Sequence, residues 1–149
     1  MAGFVETYRA VVAPEELDHL GHMNVQHYMA ALSDAAFSLM TEMGMGVRTI
    51  ERTRIGIAAV HMDISFLREI HLGAVVVMES AVAAVDGRKV RFLHRLRDAE
   101  TGEVCMSARV LGVVMDLEKR KACELPPEVR ERTRAMAVGD GALDESGEG

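Results

Sequence analysis

Between Asp18 and Tyr28 the chain reads Asp-His-Leu-Gly-His-Met-Asn-Val-Gln-His-Tyr, a carboxylate, three imidazoles, two amides and a glycine within eleven residues. A carboxylate in such a set can orient or deprotonate a water, or attack an acyl carbon itself. A helix that begins just downstream presents unpaired backbone N–H groups and the positive end of its dipole, which suits a developing oxyanion. The same residues also have a purely structural use, because Asp18 can stabilise a turn and Asn24 can cap the helix. His19, His22 and His27 with Asp18 are of the right types to hold zinc. Their spacing matches no zinc motif, so no metal and no other cofactor is expected.

The elements that must hold this stretch follow from periodicity. Val25, Tyr28, Met29, Leu32, Ala36, Leu39, Met40 and Met43 recur every three or four residues and predict a helix over Val25 to Met43. Asn24 is its candidate N-cap and Gly44 its candidate C-cap. So few charges along the helix predict that other structure largely encloses it. Phe4 to Ala13 reads as a strand, Pro14 to Asn24 as a loop, and Gly44 to Arg54 as a connection with one helical turn at Val47 to Arg52. From Val60 to Phe66 the even positions are apolar and the odd ones polar, which predicts a half-buried strand. Further β-runs cover Ala74 to Val85, Arg88 to Arg97 and Val104 to Leu117, separated by turns at Asp86-Gly87 and Asp98 to Gly102. Pro126-Pro127 opens a last helix through Ala137. One long helix followed by an antiparallel meander indicates an α+β fold, the helix lying in the concavity of the sheet.

Composition narrows the function classes. With 149 residues, 49% of them hydrophobic and 27% charged, residues 1–138 are expected to form a single domain. The net charge is -6, and four of the acids fall in the last eleven residues. Residues 139–149 are therefore expected to be a disordered, solubilising tail. No basic field is present to hold nucleic acid, and no apolar run is long enough to span a membrane. Cys105 and Cys123 form neither a disulfide framework nor a metal motif, which points to a reduced, cytoplasmic protein. Cys105 lies in a β-run and reads as a buried apolar residue rather than a nucleophile.

The pattern D-x-x-G-H-x-N-x-x-x-Y, filled by Asp18, Gly21, His22, Asn24 and Tyr28, resembles the signature of hotdog-fold acyl-CoA thioesterases of the 4-hydroxybenzoyl-CoA thioesterase type. The resemblance continues through Phe66-Leu67-Arg68-Glu69, Gly73 and the Asp86 to Lys89 turn, and spans about residues 4 to 130. It implies a helix wrapped by a curved sheet, with a subunit-interface active site. It implies Asp18 as nucleophile or general base and a backbone N–H at Val25 or its neighbour as oxyanion donor. His22 and Asn24 would position Asp18, water or the acyl group, and Gly21 and Tyr28 would line the substrate. Arg88 and Arg91 could meet CoA phosphates or simply form a solvated edge. Gly21 to Asn24, Tyr28, Ser33 to Ala35 and Phe92 to His94 are similar to a betainyl-CoA thioesterase subgroup, in which Asp34 could face a cationic acyl group. A non-catalytic hotdog protein that binds acyl-CoA or serves as an interaction module is the other reading of the same resemblance.

Two further expectations concern assembly and specificity. The apolar face of Val60 to Phe66 and that of Ala74 to Val85 cannot both pack on one helix, so a homodimer or a tetramer of paired dimers is expected. Polar groups are scarce along Tyr28, Leu32 and the helix methionines. A short to medium apolar acyl chain or a simple aryl group is therefore expected over a charged one.

Overall fold

The computed structural model describes residues 3–145, the side chains of 144 and 145 excepted. In chain order it contains β1 (Val5–Val11), a 3-10 turn (Pro14–Glu16), α1 (Val25–Glu42), α2 (Val47–Thr53), β2 (Ile55–Phe66), β3 (Val75–Asp86), β4 (Lys89–Asp98), β5 (Val104–Asp116), the two-residue β6 (Lys121–Ala122), α3 (Pro127–Met136) and α4 (Ala142–Glu145). The strands form one antiparallel sheet in the order β1-β3-β4-β5-β2, with β6 paired to β5.

The alternation read from sequence builds the core directly. Val90, Phe92, His94 and Leu96 of β4 face α1, flanked by Val82, Ser80 and Met78 on β3 and by Val110, Ala108 and Met106 on β5. Above them α1 lays Tyr28, Ala31, Leu32, Ala35, Leu39 and Met40. Asn24 caps the helix by accepting from the Gln26 N–H at 3.1 Å. At the other end Gly44 takes a left-handed φ of 90°, and the Met45 N–H reaches back to the Met40 carbonyl at 2.7 Å. A residue with a Cβ is strained in that conformation, which is why a glycine ends this helix.

Two expectations are corrected. The helix is not enclosed all round within one chain: it packs over β1 and β3, and Phe37 is 64% exposed on the side facing β2. The strand β2 is not half-buried either. It is the outer strand of the sheet, and Val60, Met62 and Phe66 are 58%, 40% and 50% exposed. Both departures have one cause, an open groove between α1 and β2 that no other element among the described residues fills.

The start of the acidic tail also has a place in the fold. Val138 and Gly139 donate backbone hydrogen bonds to the Val82 and Ala83 carbonyls, Asp140 pairs with Arg91, and Leu143 is buried beside Ala83 and Leu93 on the outer face. The expected disorder of residues 139–149 therefore does not describe 139–143. Residues 146–149 lie outside the described residues. Among the described residues no helix is long and apolar enough to cross a membrane.

Candidate active site

The loop before α1 is tied to the segment after β2 and across itself. The Met23 N–H donates to the Ile70 carbonyl at 2.9 Å, the Asn24 N–H to the Glu16 carbonyl at 2.8 Å, and Asp18 and His22 are joined backbone to backbone at 2.9 Å. Gly21, at φ 79°, makes the tight turn between them. These bonds bring Asp18, His22 and Val25 against the end of β2. There they line a cleft of about 290 Å³ with Tyr28, Phe66 and Arg68.

Within the cleft, one oxygen of Asp18 accepts from the Leu20 N–H at 2.8 Å, which fixes the carboxylate's orientation. Asn24 takes the Gln26 N–H with its side chain and the His27 N–H with its carbonyl. No described group accepts from the Val25 N–H, the first of the helix. Asn24 thus acts as the cap and leaves the adjoining donor open. Tyr28 is buried and meets Phe66 edge to face, with centroids 5.1 Å apart. Burial, then Cys105 and Glu69, push its phenol up to about 12, so it stays protonated and can donate. Tyr28 is therefore both core and cleft wall.

His22 Nε2 stands 3.1 Å from Glu69 Oε2, and His71 Nε2 stands 4.0 Å from the same oxygen. His22, Glu69 and His71 are the residues of this region whose ligand atoms could converge on an ion. They are not the His19, His22 and His27 set weighed from the sequence. His27 instead sits beside Gln26 and Glu16.

The remaining site candidates are not brought here. Asp34 is exposed on α1 and is absent from the cleft lining. Arg88 is exposed at the β3–β4 turn, whose strand partners lie at the opposite end of β5 from Met106, the partner of Phe66. Arg91 is held on the outer face by Asp140 at 2.7 Å. Arg68 and Glu69 line the cleft in their stead. In the sequence both stand only within the Phe66 to Glu69 pattern, because nothing local shows that the segment after β2 folds back onto the helix start.

The sequence matches the thioesterase-like superfamily over residues 12–133. The chain belongs to that superfamily. This thioesterase-like chain is 23% identical to a betainyl-CoA thioesterase of Pseudomonas aeruginosa over 96% of its own length and 90% of the relative's. It is 25% identical to an L-carnitine dehydrogenase/betainyl-CoA thioesterase of Rhizobium meliloti over 86% of its length, but spans only 26% of that longer protein. Among solved structures, a hypothetical protein from Staphylococcus aureus in complex with CoA superposes with a TM-score of 0.82 at 16% identity, covering 93% of this chain and 89% of that one. The fold is the hotdog fold, a curved antiparallel sheet with a long helix against it.

Proposed function

We propose that this chain hydrolyses acyl-CoA thioesters, releasing the free acid and CoA. One observation carries the reading: Asp18 and Val25, whose N–H is the first of α1, line the same cleft. A thioester carbonyl set against the Val25 N–H gains a hydrogen bond that strengthens as its oxygen becomes negative. Asp18 on the same side activates a water or attacks the carbon, and the CoA thiolate departs. His22, held by Glu69, and Asn24, held as the cap, position these parts. Gly21 lets the backbone turn there, and Arg68, which lines the cleft while its Nε pairs with Glu103 at 3.0 Å, offers its other N–H groups to the anionic CoA tail. On this reading Asp34, Arg88 and Arg91 have no part in the site of their own chain.

The acyl group runs from the cleft along the α1–β2 groove. There Val25 and Met29 lie on successive helical turns and Phe66 and Met62 on the same strand. The groove's walls are largely apolar and carry no carboxylate, which supports an apolar acyl chain or aryl group over a cationic one. The names of the two curated relatives point instead to a betainyl group, and a substrate panel decides between them. The exposed groove and the open edge of β2 support a homodimer at least. The reaction belongs to the reducing cytoplasm, where the thiols of Cys105 and Cys123 stay reduced.

The test is thiol release from a panel of butyryl-, hexanoyl-, decanoyl-, benzoyl- and betainyl-CoA. Asp18→Asn keeps an oxygen for the Leu20 N–H and so preserves the turn. It is expected to lower kcat by about 10²–10⁴-fold at unchanged melting temperature. A folded Asp18→Asn with wild-type kcat refutes the assigned role, and no turnover of any ester by the wild type refutes the activity.

A further inference from the structure

His94 is satisfied on one side of its ring and not on the other. It lies on the helix-facing side of β4 between Ser80 and Ala108, with 1% of its surface exposed. Its Nδ1 is 2.6 Å from Ser80 Oγ, Ser80 Oγ is 2.7 Å from Thr7 Oγ1, and Thr7 Oγ1 donates to the Met78 carbonyl at 3.3 Å. A hydroxyl has one hydrogen to give. Thr7, Ser80 and His94 thus form one hydrogen-bonded chain that engages Nδ1, and its protons can run in either direction. Nε2 is the ring's remaining polar atom, a lone pair in one tautomer and an N–H in the other. No described group hydrogen-bonds that nitrogen. Burial drives the imidazole pKa down from 6.5 to about 4, so the ring stays uncharged at neutral pH.

The same residue lines a cavity of about 370 Å³ between α1 and the sheet. Of the residues lining it, only Ser33 and His94 carry polar side chains. Met29, Met40 and Met62 form much of the wall, and their unbranched side chains can shift to admit a ligand. The cavity continues the groove that starts at the cleft, since Met29 follows Val25 by one helical turn. An unmatched polar atom in the wall of an otherwise apolar channel is a specificity device. A substrate hydroxyl satisfies it, and a methyl group leaves it buried and unpaired.

We propose that this cavity is an acyl subsite in which His94 Nε2 hydrogen-bonds a hydroxyl carried toward the far end of the acyl group. The inference rests on the acyl-CoA hydrolase reading and refines it. A fully methylated ammonium has no hydrogen to offer the same nitrogen.

The experiment compares kcat/KM of the wild type for hexanoyl-, octanoyl-, decanoyl- and dodecanoyl-CoA with that for their ω-hydroxy counterparts. At one chain length the hydroxy ester is expected to be preferred by about tenfold or more. His94→Leu is expected to bring that ratio to one or below. Hydrolysis of the panel without a hydroxyl preference at any length overturns this subsite while leaving the hydrolase reading intact. Absence of all hydrolysis overturns the hydrolase reading instead. If His94→Leu does not fold, the wild-type ratio still decides, together with the ¹⁵N resonance of His94 Nε2 in labelled protein. That resonance is expected to move on addition of the ω-hydroxy acid and not of its methyl-terminated parent. A folded His94→Leu that keeps the preference, or an unmoved resonance, also overturns it.

Discussion

His22 Nε2 lies 3.1 Å from Glu69 Oε2, and this contact joins the loop before α1 to the segment after β2 across the cleft. The pair is open to solvent on the Glu69 side, so its contribution to stability is small, about 1 kcal/mol or less. In the proposed hydrolase its value lies in orienting the imidazole beside Asp18. Glu69→Ala is expected to lower kcat about tenfold, the equivalent of roughly 1.4 kcal/mol in the barrier, with KM and melting temperature nearly unchanged. Glu69→Gln, which keeps an oxygen for an imidazole N–H, should recover part of the rate. Steady-state kinetics beside a thermal melt separates this positioning role from a structural one, which would show chiefly in the melt.

Gly112 makes a second prediction. A Cβ built on it would stand 2.6 Å from Ile57 Cγ2 and 3.0 Å from Phe92 Cε2, both walls of the His94 cavity. Gly112→Ala must displace one of these side chains, at a cost of about 1–3 kcal/mol. A melting temperature lower by roughly 2–10 °C is expected. Because the displaced groups crowd the cavity and not the cleft, KM should rise for decanoyl-CoA and hold for butyryl-CoA. An equal rise for both would place the acyl chain elsewhere.

The elements were legible in the sequence, and their mutual placement was not. Alternation gave β4, the Asp98 to Gly102 turn marked the start of β5, and the three- and four-residue spacing with Asn24 and Gly44 gave α1 to within a residue or two. The same alternation misjudged β2, because a parity pattern reports an apolar face but not what covers it. Here nothing within the chain does. Asp18, His22, Val25 and Tyr28 fell together because they are neighbours along the chain. Phe66, Arg68 and Glu69 joined them through tertiary bonds such as Met23 to Ile70, which leave no local mark. Arg88 and Arg91 were attractive for their charge alone. Registers place the one at the far end of the sheet, and an ion pair with Asp140 holds the other on the outer face. The visible signal for His94 was an imidazole on an apolar parity. Its partners Ser80 and Thr7 come from two other strands and could not be inferred.

The pH dependence of stability follows from His94. In the unfolded chain its imidazole protonates near 6.5, whereas in the fold burial holds it near 4. The unfolded state therefore binds more protons throughout that interval. The folded state loses stability as pH falls from about 6.5 to about 4, by roughly 3 kcal/mol in all. Denaturant melts at pH 7, 5.5 and 4.5 should show this slope. In His94→Gln the part due to this residue should vanish, leaving only the carboxylates' contribution at lower pH. A slope that His94→Gln leaves unchanged would assign the acid sensitivity to other groups.

The last prediction concerns the open edge of β2. Its twelve residues pair only with β5, so one row of backbone N–H and C=O groups faces outward. Val60, Met62 and Phe66 are exposed beside it, and Phe37 is exposed across the groove. A long edge that exposes apolar side chains associates unless something blunts it, and the irregularity of β2 is confined to the register shift between Ala59 and His61. A second copy can meet it antiparallel about a two-fold axis, extending the sheet and roofing the groove at once. Light scattering is expected to give a mass of about 33 kDa, twice the 16.3 kDa chain, or a multiple of that. Val60→Lys with Met62→Lys places like charges opposite one another across the axis and should yield the monomer. If the partner completes the groove, that monomer should also lose most of its kcat/KM for decanoyl-CoA while keeping a cooperative melt. A wild type that scatters as a 16.3 kDa particle at micromolar concentration would rule out the dimer. It would leave the exposed apolar strand without a partner.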